Sequence, residues 1–523
     1  MPAIITDNLK IQNCTNFVDS IKYVEDNPSQ GNYYMFIGYP NPDEYWNSWD
    51  SNPQSPIDNF NYHNSYKESI LGVKKITSSD VIRAIPKIVW TSGTRYDMYR
   101  HDYSAYNLSR NSQFPRLYDS QYYVMNSEFN VYMCINNGTS PGNEQGVPST
   151  IEPTHIDTNE YVDRGDGYVW KFLYSISPAD YLKFDSTDYI PVPNNWETST
   201  NSIISEVRSS AVDGGIRAVL IEKSTQYLIG FDPELGVVCP IRGDGSGATA
   251  LVTFNSEGYP DAVEVINPGS GYTYATLDLD SVVPRDPSIE KSIFNVIIPP
   301  PGGYGANIYR DLGAFRCLVY SRIENSITNP DFIVENQFSR IGIIKDVLSN
   351  GSSSFFTGTT GSGVYGIALN ETSLTLTLDS QITQSSTGAK GYIVSSQEIG
   401  SATFVKYIQS RELYVDTYAS GDFVVKSFDP YITNPDFSGI TTSTSYTYSQ
   451  FNTSSVTIDS SSYSVANIDG SQYSGEYLGQ TYTDGLSNPD INTKSGDILY
   501  VDNRSTITRA SNQREDIKII IEF

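Results

Sequence analysis

The sharpest pattern of hydrophobic and polar positions along the chain lies between Tyr168 and Ile176. Tyr168, Trp170, Phe172, Tyr174 and Ile176 fall on one side of an alternation, and Val169, Lys171, Leu173 and Ser175 on the other. Successive strand side chains face opposite sides of a sheet, so this predicts a strand that buries one aromatic face. Asp166-Gly167 opens it as a turn. Ser177 reads as a helix N-cap, with Pro178 at the first helical position and Asp180 suited to the positive helix end. A turn, a heavy strand and a short helix in one window make a folding nucleus rather than an active site.

Elsewhere the periodicities are shorter. Phe17, Ile21 and Val24 at helical spacing behind Thr15-Asn16 predict a helix over 12–26. Tyr33 to Tyr39 reads as a strand that stops at Pro40. A second short helix is expected from Ser78-Ser79-Asp80, carrying Val81, Ile82 and Ile85 and ended by Pro86. Tyr122 to Ile135 predicts a hairpin turning at Asn126-Ser127-Glu128, and 136–160 a long surface loop. From 203 to 289, short alternating runs separated by glycine turns predict a small all-β insert. Longer strands return at Ile293–Ile298, Phe315–Tyr320 and Phe338–Ile344. Between 346 and 484 the chain is rich in Ser and Thr, with a strand expected at Ser373–Leu378. Ile327-Thr328-Asn329-Pro330-Asp331-Phe332 recurs at 432–437, but a single recurrence of ordinary turn chemistry does not establish a repeat. The tail reads as strand Ile498–Val501, a turn at Asp502-Asn503-Arg504-Ser505, and a final strand with Ile517, Ile519, Ile521 and Phe523 on one face.

Composition narrows the function classes. Forty Tyr and 21 Phe against five Met, with abundant Ser, Thr, Asn and Gly, favour β-structure. A net charge of −26 argues against a nucleic-acid partner, which needs clustered Lys and Arg, and against an anionic membrane surface. Acidity of this degree keeps a protein soluble and selects basic or polar protein partners. No signal peptide is evident at Met1–Asp7, and no apolar run approaches the ~20 residues of a membrane helix. Cys14, Cys134, Cys239 and Cys317 lie far apart and read as buried free thiols.

Candidate chemistry is sparse, and no catalytic, cofactor or metal residue is assigned. His63, His101 and His155 sit in polar segments with no His or Cys neighbour at metal-ligand spacing, and read as solvated loop residues. Gly243-Asp244-Gly245-Ser246-Gly247-Ala248 fits a dinucleotide fingerprint formally. That chemistry needs a helix directly after the glycines, whereas Thr249–Phe254 reads as strand. Together with Asn267-Pro268-Gly269-Ser270-Gly271-Tyr272 it fits tight turns in a β-module. Asp163 and Asp166 read as turn residues. Trp46, Trp49, Tyr96, Tyr99, Tyr103 and Tyr106 lie in segments too polar for simple core strands. Three readings stand open for them: loops folded back onto the body, anchors of an interface, or sugar-stacking residues of an adhesin.

Five blocks, in order, carry a resemblance. They are Phe36-Ile37-Gly38-Tyr39 with Trp46; Ala84-Ile85-Pro86-Lys87 with Trp90 and Thr94-Arg95-Tyr96; Asp166 to Pro193; Phe338 to Ile344; and Ser495 to Arg504 followed by the Ile-rich end. This set resembles the baseplate wedge subunits of T-even-type contractile phages, the gene product eight family. The structural motif rests on Asp166, Gly167, Tyr168, Trp170, Pro178, Asp502, Asn503 and Arg504, with Trp46, Trp49, Tyr96 and Tyr99 as possible interface residues. The resemblance implies a mainly β fold. Residues 1–202, 290–345 and 485–523 would form one discontinuous β-sandwich core with short helices in loops, and 203–289 and 346–484 two inserted all-β modules. It also implies a non-enzymatic structural role in the virion tail, synthesis in the host cytoplasm, a homodimer, and other baseplate wedge proteins as partners. The competing reading is a tail-associated glycan-binding or glycan-cleaving adhesin that uses the inserted modules.

Overall fold

A computed structural model describes residues 3–39, 51–326, 329–330, 337–409, 415–417, 423–425, 451–465, 473–509 and 513–523, apart from positions 160, 164, 229, 231, 387 and 388. Strands make up 39% and helices 12%, so the fold is mainly β with short helices, the expected class. The chain divides into two compact units: Met1–Val18, Ile82–Leu318 and Ile520–Phe523 form the first, and Asp19–Val81 with Val319–Ile519 the second. Residues 1–202, 290–345 and 485–523, expected to form one sandwich, are divided between the two units, and both chain ends fall in the first. No helix among the described residues is long and apolar enough to cross a membrane.

In the first unit, Tyr168–Ser175 lies between Asn130–Asn137 and Val162–Asp163 in an antiparallel sheet that Tyr123–Met125 completes. The expected hairpin is present. Asn126 Oδ1 accepts from Glu128 N (3.0 Å) and Asn130 N (2.8 Å) at its turn. The aromatic face of Tyr168–Ser175 is buried as expected, but Lys171 and Leu173 on the other face are buried too. Helix Ser202–Ser209 packs across the strand, which the alternation did not signal. The capped helix forms as read: Pro178–Phe184, with Ser177 Oγ accepting from Asp180 N at 3.0 Å.

The helix expected from Ser78 does not form. Ser78–Asp80 is one 3-10 turn closed by Thr77 N donating to Asp80 Oδ2 (2.9 Å), and Val81–Pro86 continues as a strand paired with Tyr189–Val192. A strand buried on both faces loses its alternation, so Val81-Ile82-Arg83-Ala84-Ile85 imitates helical spacing. Conversely, helix Asp7–Asp26 starts well before Thr15-Asn16, and its buried stripe is Ile11, Cys14, Val18, Ile21 and Val24.

Residues 203–289 form a module with its own core. Pro260–Asn267, Thr249–Phe254, Val237–Gly243 and Ala275–Leu277 lie in that order in one sheet, and Ala218–Lys223 pairs with Ile293–Ile297. Val296 joins the cluster around Cys239, Val252, Phe254 and Leu277, so the packed module runs past the expected end, and helix Ser202–Ser209 stands at its start.

The second unit holds a five-stranded sheet in the order Thr360–Ser362, Ile70–Lys75, Tyr33–Gly38, Gln337–Lys345, Asp497–Thr508. The turn expected at Asp502-Asn503-Arg504 is absent. Asp502 pairs with Ile341 and Asn503 with Arg340 inside one long strand, and the final strand Glu515–Glu522 does not pair with it as a hairpin. Their polar side chains serve the sheet instead: Asn503 Oδ1 accepts from Arg340 Nε (2.8 Å), and Asp502 pairs with Arg504 (2.6 Å). A seven-stranded sheet assembled from strands between Tyr365 and Ser487 bears out β-structure in the Ser/Thr-rich stretch. The strand expected at Ser373–Leu378 does not form. Ser373 takes φ 60°, which breaks an extended run, while Leu374 and Leu376 still pack on the neighbouring core. The sequence recurrence falls almost wholly outside the described residues.

Candidate functional site

The Asp166 carboxylate organises the nucleus. Oδ2 accepts from Thr150 N (2.8 Å) and Ile151 N (3.0 Å), and Oδ1 from Tyr168 N (3.2 Å), so it ties the 149–151 loop to the start of the strand. This is turn chemistry. Gly167 takes φ +89° with Val147 3.1 Å from where a Cβ would stand, a position that favours glycine. Tyr168 stacks on Trp170 at 5.2 Å, and Tyr96 meets both rings edge-on while its N–H donates to Tyr168 Oη (2.9 Å).

Tyr96 and Tyr99, two of the possible interface anchors, are 1% and 5% exposed and belong to this core. Their segment is polar because its backbone is irregular, and their rings fold inward, the first of the three readings left open. Tyr103 is half-buried and donates to Met98 O (2.9 Å), whereas Tyr106 is fully exposed. Trp46 and Trp49 lie outside the described residues.

His155 and His63 differ from the expected solvated loop residues, whereas His101 lies exposed in a turn as expected. His155 is buried, with Nε2 3.1 Å from Trp170 O and its ring beside Tyr132. His101 Nδ1 accepts from Ile298 N (3.2 Å), and burial lowers its pKa. His63 lies on helix Phe60–Glu68, 2.9 Å from Asp58. All four cysteines are buried and free. Among the described residues no three His, Cys, Asp or Glu side chains gather as a metal site. The two glycine turns at 243–248 and 267–272 meet in a Ser246–Ser270 bridge, and Asp244 accepts from Thr273 N (2.9 Å) and Tyr274 N (3.2 Å). The Thr273 hydroxyl, which also donates to this carboxylate, and then these backbone bonds hold the Asp244 carboxyl down at about 2.

Sequence reading missed buried ionisable groups, among them Lys171 and Asp311. Lys171 is fully buried, donates to Thr158 O (2.6 Å) and Ser210 Oγ (3.0 Å), and shares the Tyr161 ring with Arg217. Burial, with Arg217 close by, lowers its pKa to about 8. Asp311 is 1% exposed; Oδ2 accepts from Gly305 N (2.7 Å), while Oδ1 and the nearby Tyr304 hydroxyl have no hydrogen-bond partner among the described residues. Burial raises its pKa to about 8. An interior Lys within an alternating strand, and an Asp ending a one-turn helix, look like surface residues in sequence.

Lys171→Met is expected to fold normally. Ser210 Oγ already donates to Thr158 O at 2.6 Å, so that carbonyl keeps a partner when the ammonium is lost. Removing a desolvated cation while leaving no orphan is neutral or stabilising, within about 1–2 kcal/mol. Urea unfolding of both proteins at pH 7 checks this; a large loss of stability contradicts it.

Neither a family model nor a curated protein matches the chain. The residues that carry the sequence resemblance nonetheless meet in the fold. In the second unit, Tyr33–Gly38 pairs with Gln337–Lys345, which pairs with Asp497–Thr508. In the first, Ile85 pairs with Ile190, and Tyr96 packs on Tyr168 and Trp170.

Proposed function

We propose that the chain is a structural, non-enzymatic subunit of the baseplate wedge of a contractile phage tail. It would assemble as a homodimer with other wedge proteins and shift with the baseplate when the tail is triggered. One observation supports this reading above others: blocks scattered from residue 36 to residue 504 occupy neighbouring strands in the second unit and one packed nucleus in the first. A mainly β body with a net charge of −26 also fits a protein that works by contact with basic or polar surfaces. Obligate interfaces of this kind bury roughly 2,000 Å² or more, which distributes the work over many residues.

The test is sedimentation velocity of the full chain, alone and mixed with the wedge proteins of a contractile tail. The reading expects a dimer alone and a faster heteromeric species on mixing. A chain that sediments unchanged with every wedge protein, yet binds a glycan array, would favour the adhesin reading instead.

A further inference from the structure

In the first unit one face of helix Asp7–Asp26 lies against the start of strand Arg316–Ile323. Lys10 Nζ stands 5.3 Å over the Phe315 ring, the Cys14 thiol donates to Arg316 O (3.4 Å), and the Phe17 and Phe523 rings pack 5.6 Å apart. Residues three and four apart share a helix face, so these three contacts fix one register. That register brings Cys14 to Cys317, the residue after Arg316, and the two thiols lie within hydrogen-bonding reach of each other. Both are buried and free. The other two cysteines bond locally instead, Cys134 to Asn136 O (3.4 Å) and Cys239 to Val237 O (3.7 Å).

A buried cation stands beside the pair. Arg83, on the neighbouring strand Val81–Pro86, donates from Nη1 to Asn194 O (3.0 Å) and lies 4.1 Å over the Tyr309 ring. Its Nε has no hydrogen-bond partner among the described residues. A guanidinium held in the interior by neutral groups favours an anion close by, and its charge reaches both thiols. The hydrogen bond from Cys317 lowers the Cys14 pKa, and Arg83 adds to that effect. The same bond, and then burial, raises the Cys317 pKa well above its ordinary value. The thiolate is the nucleophilic form of cysteine, so Cys14 has the character of an attacking sulfur and Cys317 that of a resolving one.

We propose that Cys14 and Cys317 are a redox site at which hydrogen peroxide forms a reversible disulfide, fastening the Asp7–Asp26 helix to the Arg316–Ile323 strand. The Cys14 thiolate attacks one peroxide oxygen and the O–O bond breaks. The departing hydroxide takes up the proton that Cys14 released, which leaves a sulfenic acid and one water. The Cys317 sulfur then attacks the Cys14 sulfur, the S–O bond breaks, and hydroxide leaves with the Cys317 proton as a second water. Two thiols thereby give two electrons to one peroxide, and a dithiol reductant returns them. Peroxide reaches the buried pair through local opening of the helix. The inference does not depend on the baseplate reading, and either can fail alone.

The test treats the reduced, folded full chain with hydrogen peroxide, alkylates the remaining thiols in urea, and maps the tryptic peptides by mass spectrometry. Peptide Ile11–Lys22 is expected to be joined to Cys317–Arg322 within a single chain, with Cys134 and Cys239 alkylated and the link lost on adding dithiothreitol. The link is expected to form about tenfold or more faster in the folded chain than in concentrated urea, because the fold already holds the two sulfurs together. The linked chain is expected to unfold at a higher urea concentration than the reduced one. Cys14→Ala and Cys317→Ala should each abolish the linked peptide, and the wild-type map decides the matter even if either variant fails to fold. The proposal is overturned if both thiols stay reduced, or if each is oxidised separately to sulfinic acid. It is equally overturned if the link joins other cysteines or two chains, or forms as fast in urea.

Discussion

Trp170→Ala is expected to lower the stability of the first unit by about 3–5 kcal/mol, the cost of emptying a large, fully packed aromatic site. Trp170 is fully buried, stacked on Tyr168 with an interplanar angle of 10° and met edge-on by Tyr96 5.9 Å away. Its loss leaves a cavity in the centre of the sheet, opposite Cys134. Trp170→Phe separates packing from hydrogen bonding. The indole Nε1–H has no acceptor among the described residues, so phenylalanine forfeits no bond and only part of the contact area. About half or more of the loss should be recovered. Native-state hydrogen exchange of the Tyr168–Ser175 amides reads this directly. Equal losses for the two variants would contradict the packing argument.

Asp311 gives the second large effect, and its sign is set by where the proton binds more tightly. Its carboxyl has a folded pKa of about 8 against an ordinary 3.8. Below pH 4 both folded and unfolded chains hold the proton, and the stability that protonation lends is fully present. Between about pH 4 and 8 the unfolded chain loses the proton and the folded one keeps it, so stability falls by up to about 1.4 kcal/mol per pH unit. Above 8 the cost is complete and constant. Asp311→Asn mimics the neutral acid: its amide oxygen accepts from Gly305 N, and its NH2 takes the place of the protonated Oδ1. The variant should match the wild type near pH 4 and exceed it by several kcal/mol at pH 8, of order 5 before relaxation. Lys171 acts in the adjacent window. Its folded pKa of about 8 lies below the ordinary 10.5, so its contribution is lacking below 8 and recovered between 8 and 10.5. Urea unfolding of wild type, Asp311→Asn and Lys171→Met from pH 4 to 10 separates the two.

Local chemistry was legible wherever one residue type has one physical use. Ser177-Pro178 capped its helix, Asn126 turned its hairpin, and the glycine turns at 243–248 and 267–272 closed a β-module instead of a nucleotide site. Legibility failed where burial removed the periodic signal. Val81–Pro86 is buried on nearly every residue, so its sequence no longer alternates. Asp502-Asn503-Arg504 has the composition of a turn, yet Asn503 completes a bond network with Arg340 that only the paired strand reveals. Polar neighbours left Tyr96 and Tyr99 open among folded-back loops, interface anchors and sugar-stacking residues, and only the fold shows their rings in the core. The division into two units left no mark in composition. Its boundaries fall inside helix Asp7–Asp26 and strands Val81–Pro86, Arg316–Ile323 and Glu515–Glu522, not in Gly- or Ser-rich stretches.

Cryo-electron microscopy of contractile phage tails assembled with this chain present tests the central proposal most directly. The wedge reading predicts both β-rich units of the chain in every peripheral wedge of the baseplate, touching neighbouring subunits over extended surfaces and displaced between the extended and contracted states. Finding the chain only at the tips of tail fibres, or absent from the baseplate, would contradict it.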